Sequence, residues 1–103
     1  GVSKVGSYTA TGNAINVDCG FTAGARFILI KRTDSTGDWY VWDSVRGYNG
    51  SSDNYIKLNT TSAQDYNINN IDDHLDALAA GFSVKASSGV NVSGGTYIFL
   101  AIA

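Results

Sequence analysis

The sequence predicts an all-β fold: an antiparallel β-sandwich with one short helix, a jelly-roll strand order being one topology open to it. Three observations carry this expectation. Short apolar or alternating runs recur between turn signals spaced roughly 8–12 residues apart, the rhythm of sandwich and barrel domains. Every acidic residue is Asp and Glu is absent, and Asp belongs to turns and caps where Glu favours helices. Only one segment has helical spacing. The 103 residues make one domain, long enough to bury a core without covalent staples.

Taken in order, residues 4–10 read as a first strand, turned by Gly12-Asn13 into a second over 14–18, where Ile15 and Val17 share one face. Residues 25–31 are almost wholly apolar at Phe27-Ile28-Leu29-Ile30, which suits a strand covered on both faces. The polar loop Thr33-Asp34-Ser35-Thr36-Gly37-Asp38 leads into a partner strand over 39–43. A Gly/Ser/Asn loop follows, then strands over 55–58 and, more weakly, 66–71. Residues 72–80 are the one helical candidate: Asp72 or Asp73 caps it, Leu75, Leu78 and Ala79 fall on one face, and Gly81 ends it. Strands are expected at 82–85, 90–92 and 97–102, the last apolar on both faces and therefore central.

Composition narrows the function. A net charge of −2 with pI near 4.9 argues against a nucleic-acid partner, which calls for a basic stripe. No apolar run approaches the ~20 residues of a membrane helix, so no membrane insertion is expected, and no stretch reads as a secretory leader. The single Cys19 excludes an internal disulfide and reads as a small buried hydrophobe. No cofactor or metal is expected. His74 lies among Asp72, Asp73 and Asp76, but helical neighbours diverge, and the acids are explained by a helix start. Asp34 and Asp38 lack the alternating acids of a calcium loop. A lone His supports no Ser-His-Asp arrangement, and no catalysis is expected.

The most distinctive stretch is DWYVWDSVRG, residues 38–47. Trp39, Val41 and Asp43 share one strand face, and Tyr40 and Trp42 the other. Either both faces are covered, or one presents aromatics to a sugar, a receptor or a neighbouring protein. Asp43 and Arg46 read as a structural pair locking the turn before Gly47. Tyr48 and Tyr55 flank NGSSDN, a loop able to stack and hydrogen-bond with a ligand. The candidate ligand-binding set is therefore Trp42, Tyr40, Tyr48, Asn54 and Tyr55.

The longer stretch CGFTAGARFILIKRTDSTGDWYVWDSVRG resembles a module recurring in tailed-phage virion proteins, especially of phages of marine bacteria. The matching features are Gly20-Phe21, Ile30-Lys31, Trp39 and Asp43-Ser44-Val45-Arg46-Gly47. LDALAAGFSV (Leu75, Leu78, Gly81, Phe82) and the closing Gly95-Thr96-Tyr97 strand match too. The module often has a proline after its Gly-Phe, where this chain has Thr22-Ala23-Gly24. The resemblance implies that residues 1–103 are one β domain, the terminal module of a longer virion protein at the tail or capsid surface. It implies a tail-fibre or tail-associated receptor-binding role, with a host cell-surface glycan or protein and other virion proteins as partners, in a homo-oligomer. A capsid-decorating or tail-joining domain is the first alternative, a glycan-degrading enzyme the second.

Overall fold

The computed structural model describes residues 2–44, 55–61, 75–85 and 90–103, and for residues 55 and 75–77 the backbone alone. Among the described residues eight strands follow one another: β1 (Ser3–Thr9), β2 (Ile15–Asp18), β3 (Phe27–Arg32), β4 (Tyr40–Asp43), β5 (Tyr55–Lys57), β6 (Leu75–Leu78), β7 (Gly81–Val84) and β8 (Thr96–Ile102). They form two antiparallel sheets, β1-β8-β3-β4-β5 and β2-β7-β6, packed against each other as an all-β sandwich. The apolar last strand lies inside its sheet, between β1 and β3. β3, the Phe27-Ile28-Leu29-Ile30 run, is its middle strand.

Directly paired residues in antiparallel strands project to the same face, so the register sorts the side chains. Ile28 pairs with Trp42 and with Ala101, and Ile30 with Phe99. These side chains meet Val17, Phe82 and Val84 of the smaller sheet in one buried cluster. The rings of Phe82 and Phe99 join the sheets edge to face, centroids 5.3 Å apart. Tyr8 and Tyr97 stack at 5.2 Å beside them. The Tyr8 hydroxyl donates to the Val90 carbonyl at 2.7 Å. Burial first, then the neighbouring Tyr97, keeps that hydroxyl un-ionised far above the ordinary tyrosine range.

Two expectations are corrected. The segment expected as a helix over 72–80 holds a strand: Leu75–Leu78 pairs with Gly81–Val84 through a two-residue turn at Ala79-Ala80. Residues 72–74 lie outside the described residues, and among those described there is no helix. The i, i+3, i+4 spacing covered barely a turn, too little to nucleate a helix without support, whereas the hairpin gains a ladder on β7. Ala-Ala is a poor choice for a two-residue turn, but backbone amides take up its carbonyls. Cys19 and Phe21 donate to Ala80 O at 2.7 and 3.1 Å, and Gly24 donates to Ala79 O at 2.8 Å. Gly81 permits this approach, since a Cβ there would collide with Val17 O.

The strand expected over 90–92 is an irregular link. Asn91, buried, donates from Nδ2 to the carbonyls of Asn13 (2.6 Å) and Lys85 (3.0 Å), while Val92 N donates to the Tyr97 hydroxyl at 3.1 Å. These bonds replace a ladder. Gly94, at φ 82°, then turns the chain into β8. The strand expected over 66–71 and the Asp43–Arg46 pair involve residues outside those described.

Candidate functional site

The two sheets differ on their outer faces. The smaller one is polar there, with Asn16 and Asp18 exposed and Ser83 half-buried. The five-stranded sheet is apolar on its outer face as well as its inner one. The register places Val5, Leu100, Leu29, Val41 and Ile56 in one row across all five strands. A second row runs through Ser7, Ile98 and Lys31 to Trp39 and Leu58, which continue the β3–β4 and β4–β5 pairings. Val5 is 70% exposed, Ile98 43% and Trp39 38%.

Between these rows lies a groove of about 330 Å³, lined chiefly by Val5, Leu29, Lys31, Trp39, Ile98 and Leu100. That is at the small end of ligand sites, about 300–1,000 Å³. Among the described residues Lys31 is its one charged side chain; the ammonium lies 5.9 Å from the centroid of the Trp39 ring and donates to Arg32 O at 2.7 Å. Trp39 is fixed through its backbone: its N–H donates to Asn59 Oδ1 at 3.0 Å, and its carbonyl accepts from Leu58 N at 2.9 Å. Asn59 Nδ2 donates in turn to Asp38 Oδ1 at 3.0 Å, and Lys57 Nζ stands 3.5 Å from Asp38 Oδ2. The Asn59 bond, followed by the Lys57 charge, holds the Asp38 carboxyl below the ordinary carboxylate range.

Of the aromatics expected to bind, Tyr40 and Trp42 come together, but on the inner face of β4. Trp42 is wholly buried between the sheets, because its face of β4 is the one that β2-β7-β6 covers. Tyr40 is half-buried, stacked on Trp42 at 5.6 Å with Lys57 Nζ 5.8 Å from its ring centroid. Tyr55 pairs with Trp42 through β5, its side chain outside the description. Tyr48 and Asn54 lie outside the described residues. The exposed indole is Trp39, on the opposite face of β4. The alternation of Trp39 with Trp42 set the two indoles on opposite faces and left open whether both faces would be covered.

Chemically, the face offers apolar area, an indole, the Lys31 ammonium and, from the described residues around the groove, the Ser3 and Ser7 hydroxyls and the Asp43 carboxyl. Asp34 is engaged elsewhere, by Arg32 Nε at 2.9 Å and Thr96 N at 2.9 Å. Burial first, and Asp18 next, push the Cys19 thiol up, away from the reactive thiolate. Among the described residues no three His, Cys, Asp or Glu side chains cluster as a metal site would require.

Fold and face together define a class: a small all-β sandwich with one polar and one apolar outer sheet surface. The chain belongs to the DUF7483 family, a domain of unknown function, whose model matches residues 1–103. No curated protein and no solved structure matches it.

Proposed function

We propose that this domain is a non-catalytic attachment module of a phage virion, in a tail fibre or tail-associated protein, binding a host cell-surface protein through the outer face of its five-stranded sheet. The virion setting rests on the sequence resemblance. The groove beside Trp39 carries the choice of contact surface. Sugars are recognised by several fixed polar groups together with stacking, and among the described residues lining the groove the one charged side chain, Lys31, already serves the Arg32 carbonyl. Apolar rows with a half-exposed indole suit a protein surface, where Trp is a preferred anchor.

The test is adsorption of the purified chain to host cells, run beside a glycan array and pull-downs of capsid and tail proteins. Adsorption is expected, with Trp39→Ala weakening it about thirty-fold, the effect of losing a hot-spot side chain. Adsorption unchanged by Trp39→Ala would sink the assignment of the face. The apolarity of the rows also favours a second reading, a capsid-decorating or tail-joining domain, since permanent interfaces are the more hydrophobic ones. Capture of a virion protein without adsorption would select it.

A further inference from the structure

The long free edge of the five-stranded sheet supports an inference that does not depend on the attachment reading. Among the described residues β1 pairs with β8 alone, along one side. The backbones of Val2 and Ala10, which bracket it, are directed at the β8 side. Ala103 N donates to Val2 O at 2.8 Å, Ala10 N to Gly95 O at 2.8 Å, and Gly94 N to Ala10 O at 2.9 Å. Antiparallel alternation then turns the amides and carbonyls of Ser3, Val5, Ser7 and Thr9 away from β8. All four residues are exposed.

Proteins blunt such edges with proline, bulges, charges or brevity, because an open edge templates a further strand. β1 uses almost none of these. It is 7 residues long, its register runs unbroken from Ser3↔Ile102 to Thr9↔Thr96, the chain has no proline, and Lys4 is its one charge. The other edge strands have 4, 4 and 3 residues.

We propose that this edge is a homodimer interface, in which β1 pairs antiparallel with β1 of a second copy across a two-fold axis at Gly6. That register overlaps the whole strand and sets every outward-facing residue opposite another: Ser3 faces Thr9 of the second copy, and Val5 faces Ser7. The free donors and acceptors of each edge are met by those of its mate. Lys4 falls opposite Tyr8 of the second copy, so no like charges oppose each other. Gly6 meets Gly6 at a closely spaced, non-hydrogen-bonded position, where no side chain stands between the backbones. On the outer face the pairing shields Val5 and joins the aliphatic rows of two molecules into one surface. A second copy is favoured over an unrelated strand because the edge is complementary to itself.

One strand pair with its flanking valines buries less than the roughly 1,200 Å² of a standard stable interface, so dimerisation follows concentration. Sedimentation equilibrium of the full chain from micromolar to millimolar tests this. A monomer–dimer equilibrium is expected. Ser7→Pro removes an outward N–H that β8 does not use, and Val5→Lys places a charge beside the two-fold axis. Each should leave the melting temperature unchanged and the protein monomeric. If Ser7→Pro fails to fold, Val5→Lys decides. A wild-type chain that stays monomeric at millimolar concentration, or a folded variant that keeps the dimer, overturns the proposal.

Discussion

Trp39, which leads into β4, and Trp42, within it, stand three positions apart and have opposite fates. Trp42 is fully buried, paired with Ile28 and stacked on Tyr40; Trp39 is 38% exposed above Lys31. Removing Trp42 opens a cavity that a close-packed core cannot fill, so Trp42→Ala should cost about 3–5 kcal/mol. Trp39→Ala removes a surface ring and a cation–π contact and should cost less than about 1 kcal/mol. Urea denaturation of the two variants checks the ordering. Were Trp39 the costly residue, β4 would have to be slipped by one position, which would exchange its two faces. The same comparison shows why the binding aromatics were not legible from sequence. Both faces of residues 39–43 carry large apolar side chains, and period two separates the faces without saying which one a second sheet covers. Of the expected contacts, Trp42 is buried by the position of β2-β7-β6, and Tyr40 is half-buried against it.

At the scale of elements, most strands were legible because apolar runs were bounded by turn residues, with observed ends within a residue or two of those expected. The hairpin of β6 and β7 was not. LDALAAG has helical composition, and what makes it a strand is distant in sequence: the amides of Cys19, Phe21 and Gly24 that receive the turn carbonyls. The loop between β3 and β4 shows a similar long-range tie, this one charged. Asp34 accepts from Arg32 at its own base and from Thr96 N at the start of β8, pinning the hairpin to the neighbouring strand. The Arg32 bond first, then the Thr96 amide, lower the Asp34 carboxyl to about 2. Because the folded value lies below the unfolded one, near 3.9, the ionised group stabilises the fold above about pH 4. That contribution fades as pH falls toward about 2 and is gone below it. Asp34→Asn should therefore lower the melting temperature at neutral pH and flatten its decline between about pH 4 and 2. A melting curve with the wild-type acid slope in the variant would show that the tie carries no stability.

At the scale of the molecule, each of the three sequence blocks that resemble the virion module contributes side chains to the core, although Trp39 of the first block is exposed. Phe21, Ile30, Phe82 and Tyr97 are all buried, and the loop after β2 lies against the β6–β7 turn. The sandwich holds together only if its two sheets share one core, and the most direct link is Phe82 of β7 meeting Phe99 of β8 edge to face at 5.3 Å. Phe82 is fully buried, and Phe99 packs under Gly6, where a Cβ would touch its ring at 3.0 Å. A shared core makes unfolding a single cooperative transition, the usual behaviour of a domain this size. It also makes the two rings energetically dependent. Phe82→Leu and Phe99→Leu, chosen to keep the core apolar and filled, should each destabilise, and together by less than the sum of the two. The difference, about 0.5–1.5 kcal/mol, is the worth of the aromatic contact. A double variant additive to within about 0.5 kcal/mol would mean that the rings do not sense each other.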